Sequence, residues 1–158
     1  MFLAAREAIQ RWEQFNLGWV RIANSNPKIA RGELVAVEAR TLYLWSINFS
    51  RIVDVIDSPT RFGFMYATTA LHVEEGQERF LIEFDSESGA VFYLIEAISR
   101  PRHAIARIMY PISRAMQHRF QRDSIANLKR CVAGAESRAN LALPDLEHQR
   151  TIDPAKPK

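Results

Sequence analysis

A single cysteine, Cys131, occurs in the 158 residues. This excludes an intramolecular disulfide framework and any multi-cysteine zinc or iron–sulfur site, and makes a reducing, cytoplasmic compartment the simplest expectation. No uninterrupted apolar run approaches the ~18 residues of a membrane-spanning helix. Arg6 and Glu7 bring charge too early for a signal-peptide core, so a soluble protein is expected. There is no glycine-rich phosphate loop and no serine-elbow motif. No cofactor is expected. With 6 glycines and 7 prolines the chain also lies outside the collagenous and low-complexity ranges.

What is present is ordinary globular material, 47% apolar and 25% charged in 18.1 kDa. A chain of this mass can bury about 69% of its unfolded surface without a staple, so one domain with a real core is expected. Of 21 cations 17 are arginine, and the charge is unevenly spread. Residues 1–99 carry 9 basic against 13 acidic groups, and residues 100–158 carry 12 against 5. The plain reading is a basic helix partly compensated by an acidic sheet; the alternative is an anionic partner.

Ile9, Trp12 and Phe15, spaced by three, predict an amphipathic helix over 2–16 that stops at Gly18. Asn24–Pro27 reads as a turn. Beyond Gly32 the period becomes two: Tyr43, Trp45, Ile47, Phe49, Val53 and Val55 form an apolar face, with Ser46, Asn48, Ser50 and Asp54 on the other. Asp57–Thr60 is a turn. Phe62, Phe64, Tyr66 and Thr68 then share one strand face, and Phe80, Ile82 and Phe84 another. Asp85–Gly89 turns the chain into a strand over Val91–Ser99. Connections this short cannot house crossover helices, so the strands form an antiparallel meander. After Pro101, Ile105, Ile108, Met109, Ile112, Met116 and Phe120 recur with helical period, opposite Arg107, Arg114, His118, Arg122 and Lys129. Pro111 predicts a kink or restart near Tyr110. The domain is placed at 1–132, with a mobile tail at 133–158.

A helix, five or six antiparallel strands and a closing helix must bury one sheet face on the helical stripe, which gives an α+β domain with a curved antiparallel sheet wrapped on a long C-terminal helix. That layout resembles the helix-grip folds, the Bet v 1-like or START-like superfamily, which implies an apolar cavity between sheet and helix. At motif level the stretch from Tyr66-Ala67-Thr68 through His72 to Gly76-Gln77-Glu78-Arg79-Phe80 resembles the uncharacterised domain-of-unknown-function family numbered nineteen-ninety. Trp12, Leu17-Gly18-Trp19-Val20, Gly32, Asn48 before Arg51-Ile52-Val53, Ser99-Arg100-Pro101, and Pro111 with Arg114 and Gln117 follow in that family's order, over roughly residues 5–132. Ala67 replaces the motif's glycine and Gln77 its first glutamate. Family members usually begin earlier, with a strand before the first helix. The expectation is therefore a first strand missing here and an uncovered sheet edge through which a homo-oligomer could form.

The polar constellation is Tyr66, Thr68, His72, Glu75, Glu78 and Arg79, with Ser99 and Arg100 on a later strand. A carboxylate turned into an apolar cleft has its charged form disfavoured, which suits Glu78 as a general acid or as an anchor for a ligand's polar end. The plainer reading pairs Glu78 with Arg100 or Arg79. His72, Glu75 and Glu78 lack the convergent spacing of metal ligands, and no metal is expected. Cys131 reads as a small apolar residue.

The leading expectation is a domain that binds a small apolar or amphipathic molecule between sheet and C-terminal helix. Its lining would be Trp45, Phe64, Tyr66, Phe80, Ile82, Ile105, Met109, Ile112 and Met116, with Tyr66, Glu78 and Arg100 orienting the polar end. One alternative is an enzyme acting on a small hydrophobic substrate with His72 and Glu78 as acid and base. Another is an interaction module using the basic helix, for which a peripheral anionic surface suits better than nucleic acid because no stacking aromatics accompany the arginines.

Overall fold

Alanine, leucine, glutamate and glutamine favour helix. In the computed structural model α1 (Phe2–Gln10) buries Ala5, Ala8 and Ile9 on one stripe. The structure describes residues 1–69, 74–101 and 110–141, with the side chains of 74–75, 99–101, 110 and 139–141 outside that description. The helix expected to reach residue 16 ends at Gln10. Trp12 takes a left-handed backbone (φ 60°) and starts a 3-10 turn, Glu13–Phe15. The break turns both aromatics inward. The Trp12 indole Nε1 donates to the Pro27 carbonyl at 2.8 Å and its ring meets Phe64 edge-on at 5.0 Å, while Phe15 packs 5.3 Å from Phe80.

Six strands follow, each antiparallel to the next in chain order: β1 (Val20–Ile22), β2 (Leu34–Thr41), β3 (Leu44–Asp57), β4 (Arg61–Thr68), β5 (Glu74–Phe84) and β6 (Val91–Pro101). The register fixes the faces. Val35 pairs with Ser50, Val37 with Asn48, Ala39 with Ser46 and Ile52 with Tyr66, so the concave face of β3 carries the even-numbered residues. Val35, Ser50, Ile52 and Tyr66 are buried there. A bulge between Ile52 and Asp54 then changes the parity, so that Val55 lies opposite Phe64. The concave face of β4, β5 and β6 continues through Phe62, Ile82 and Tyr93, then Phe64, Phe80 and Ile95, then Tyr66, Glu78 and Ala97.

This parity reverses part of the expected pattern. Trp45, Ile47 and Phe49 alternate as expected, but they lie on the convex face, and the polar Ser46, Asn48 and Ser50 point inward. Alternation specifies a period of two without saying which side is buried, and the bulge lets Val55 share a parity with residues facing the other way.

The last element, α2 (Tyr110–Leu141), lies across the concave face. Pro111 sits in its first turn, where a missing backbone donor costs no intrahelical bond. Phe120, Ser124, Leu128 and Val132 recur every four residues toward the core. Polar ties hold the helix in place: Ser124 Oγ lies 3.0 Å from the Tyr93 hydroxyl, Trp19 Nε1 donates to Asp123 at 3.0 Å, and Asn127 Nδ2 donates to the Glu13 carbonyl at 2.7 Å. The result is the α+β arrangement expected from the sequence, a curled antiparallel sheet closed by the C-terminal helix. Helix α2 continues to Leu141, and 142–158 lie outside the described residues. Among the described residues no helix is long and apolar enough to cross a membrane.

Candidate functional site

The core is closed over Phe64, Phe80 and Ile82, where the aromatic rings interleave: Phe64 stacks on Phe80 at 5.2 Å and Phe15 lies 5.2 Å from Phe120. Toward the start of α2 the sheet and helix separate and leave between them an open cavity of about 380 Å³. That is the lower end of the range for small-molecule sites. Ile112, Met116 and Phe120 roof it, and Phe15 and Trp19 close the end next to the core. Its sheet wall combines apolar Val37, Ala39 and Ala97 with polar Asn48, Thr68 and Glu78.

Tyr66 and Glu78 form the chemically distinctive part of this wall. They face each other directly across β4 and β5, and the Tyr66 hydroxyl donates to Glu78 Oε2 at 2.5 Å. Burial disfavours the carboxylate and pushes Glu78 up to about 7, even though the bond from Tyr66 pulls the other way. Burial, and then the neighbouring Glu78 charge, hold the Tyr66 hydroxyl well above its ordinary range, so it remains a donor. Near neutral pH the site therefore presents a carboxyl that exchanges between charged and protonated forms. Beside it the strand is pinned by Thr68 Oγ1, which accepts from the Gly76 amide at 2.9 Å.

Of the residues predicted to form the site, Tyr66, Glu78, Ile112 and Met116 are brought together around this cavity. Phe64 and Phe80 are fully buried in the adjoining core rather than on the wall. Ile82 lies further along and borders a second cavity of about 450 Å³ between α1, β6 and the later part of α2. Two polar groups of that second cavity are already engaged: the Tyr93 hydroxyl with Ser124, and Glu136 with the Met1 amino group at 2.8 Å. Trp45 is separated from the cavity wall. It is 48% exposed on the convex face, with the Arg21 guanidinium 5.2 Å above its ring, because its pairing with Arg40 turns it outward. The pairing of Glu78 with Arg79 is also corrected. Arg79 is one residue out of phase, on the convex side, and its guanidinium binds Glu96. His72, Ile105 and Met109 lie outside the described residues, as does the Arg100 side chain, whose backbone pairs with Glu75.

Asn48, Ser46, Gln117 and Trp19 line the cavity without having been singled out as site residues. The signal was in the β2–β3 register: once Thr41 pairs with Leu44, Val37 and Ala39 must share a face with Asn48 and Ser46. Among the described residues no three His, Cys, Asp or Glu side chains converge.

Residues 1–127 match the family model of a domain of unknown function, DUF1990. The chain is 32% identical over 147 residues to a UPF0548 protein of Dictyostelium discoideum, covering 86% of this chain and 68% of that one. It is 28% identical over 125 residues to a UPF0548 protein of Arabidopsis thaliana, covering 75% and 60%. A UPF0548 protein of Deinococcus radiodurans is 37% identical over 79 residues, covering 50% and 39%. The chain thus spans about two thirds or less of the length of these relatives. No solved structure matches it. The chain belongs to the DUF1990 family.

Proposed function

We propose that this DUF1990 domain binds a small amphipathic molecule in the cavity between the concave sheet and the first turns of α2, with its polar end on the Tyr66–Glu78 pair. The supporting observation is the open cavity of about 380 Å³ whose largely apolar lining holds one hydrogen-bonded tyrosine–carboxyl pair. Apolar bodies with a few convergent polar groups are what small-molecule sites are made of. The layout also resembles the helix-grip folds.

The lining narrows the ligand's chemistry. Among the described residues that face the cavity, Tyr66 and Glu78 are the ionisable ones, and none is lysine, arginine or histidine. An anionic head group would meet the Glu78 charge without a compensating cation among the described residues, whereas a hydroxyl, amide or amine finds both a donor and an acceptor. The ligand is therefore a neutral or cationic amphiphile.

Native mass spectrometry of the purified chain, with organic extraction of what co-purifies, tests this reading. The expected result is a discrete adduct that is lost on denaturation and absent from Ala97→Phe and Met116→Trp, two variants that fill the cavity from opposite walls. An adduct retained by both folded variants would place the ligand elsewhere.

The near-neutral carboxyl supports a second reading, in which Glu78 exchanges a proton with a small hydrophobic substrate. Chemical conversion of the bound molecule, abolished in Glu78→Gln while binding persists, would distinguish catalysis from carriage. The exposed Arg114, His118, Arg122 and Lys129 supply the remaining alternative, an anionic surface. Binding through that face would weaken steeply with salt.

A further inference from the structure

The loop between β2 and β3 has two residues, Leu42 and Tyr43, closed by the Thr41–Leu44 pair. Both have positive φ, 49° and 70°. Positive φ at both central positions is the geometry of a type I′ hairpin, which Asn-Gly adopts readily and which bulky side chains resist. Here the two positions are filled by leucine and tyrosine, and among the described residues they stay largely open to solvent. Leu42 is 67% exposed, Tyr43 87% and Leu44 75%. The chain therefore holds a conformationally costly turn at its surface in order to project large apolar groups into water, a placement that folding alone does not reward.

Just behind this tip is a layer of aromatic rings and guanidinium groups. Arg40 lies over the Tyr43 ring at 5.5 Å, and Arg21, also bonded to Glu38, lies over Trp45 at 5.2 Å. Leucine and tyrosine at the tip with tryptophan and arginine behind them follow the order in which side chains partition across a membrane interface, from acyl chain to head group. The tip is also continuous with the cavity: Thr41 and Ser46, which flank it, line the cavity wall.

We propose that the β2–β3 hairpin tip is a membrane-docking wedge that inserts Leu42, Tyr43 and Leu44 into the interface of a lipid bilayer and brings the mouth of the sheet–helix cavity to its surface. Docking itself goes beyond ligand binding and rests on the hairpin; only the placing of the cavity mouth at the bilayer draws on the cavity. Affinity comes mainly from insertion of apolar side chains, and Arg40 adds a preference for anionic head groups.

The experiment is co-sedimentation of the full chain with phosphatidylcholine vesicles, with and without phosphatidylserine, alongside quenching of tryptophan fluorescence by brominated lipid. The decisive variant is Leu42→Asn/Tyr43→Gly, which removes the apolar tip and supplies the residues that the turn prefers, so it should fold at least as well as the parent. The expected result is retention of the parent chain on both vesicle types, tighter with phosphatidylserine, with lipid quenching that salt weakens only slightly. The variant should lose about tenfold or more of its partitioning, the scale set by withdrawing a leucine and a tyrosine from an apolar phase. Equal retention of parent and variant overturns the proposal, as does absence of the parent from vesicles. Self-association of the parent that the variant abolishes, without vesicle binding, would assign the tip to a second copy of the chain and overturn it equally.

Discussion

Tyr66 and Glu78 occupy directly opposed positions on β4 and β5, and the tyrosine hydroxyl bonds the carboxyl at 2.5 Å on the wall of a cavity. Because the pair is set by strand register, its spacing does not depend on loops. Its cost is electrostatic, since a carboxyl is withdrawn from water with one neutral donor as compensation.

That cost has a definite pH dependence. Burial raises the proton affinity of Glu78 in the folded chain relative to the unfolded one, so the native state holds the proton more tightly. Stability is full below the ordinary carboxylate range and is lost as pH rises from there to about 7. The loss amounts to at most about 3 kcal/mol. Urea denaturation across this range should show the decline, and Glu78→Gln should flatten it, leaving the variant more stable than the parent at pH 8 by about 2 kcal/mol. A parent whose stability is level between pH 5 and 8 would show that the carboxyl is better solvated than its position indicates.

Tyr66→Phe separates the hydrogen bond from the burial. The bond lowers the Glu78 pKa, so its loss should move that carboxyl above about 7. Stability at pH 8 should fall by about 1–2 kcal/mol, with little change at pH 5, where a protonated carboxyl no longer needs the donor. Carboxyl carbon chemical shifts followed by NMR through the titration report the shift directly; an unchanged midpoint would deny the coupling.

Gly63 tests the packing of β4 on β5. A Cβ placed there would lie 2.1 Å from the Phe80 carbonyl oxygen and 2.9 Å from the Leu81 Cα, both backbone atoms that cannot swing aside. Gly63→Ala should destabilise the fold by about 3 kcal/mol or more and lower the yield of soluble protein. Parent-like stability on thermal denaturation would mean that the strands can separate locally.

Gln14 is completely buried, and neither its carboxamide nitrogen nor its oxygen has a hydrogen-bond partner among the described residues. An unpaired buried polar group costs about 1–3 kcal/mol, whereas methionine has a similar shape and no such demand. Gln14→Met should therefore raise the denaturation midpoint. A destabilised variant would indicate that the carboxamide is satisfied by water in solution.

These residues also show where the sequence could be read and where it could not. Alternation is unbroken along β4 and along β5, so Phe64 with Tyr66 and Glu78 with Phe80 are legible as pairs on each strand, and the register then brings the four onto one face. Parity along β3 was misread because alternation is silent about which side is buried, and one bulged residue at Ile52–Asp54 reverses it. Trp12 and Phe15 keep helical spacing while the backbone leaves helical geometry at Trp12, so spacing alone overstates the length of the first helix. The β2–β3 hairpin was hidden for a chemical reason: Leu42-Tyr43 contains none of the residues by which turns are recognised. The cavity itself has no sequence signature, because the same aromatic stripe can fill a core or surround a space.

Isothermal titration with three ligands that share a decyl chain and end in an alcohol, an amine or a carboxylate tests the central claim most directly. The account predicts that at pH 8 the alcohol and amine bind at least about tenfold more tightly than the acid, as expected for a carboxylate brought beside an ionised Glu78. The gap should close in Glu78→Gln, and Ala97→Phe should bind none of the three. Preferential binding of the acid, or a charge preference unaltered by Glu78→Gln, would contradict it.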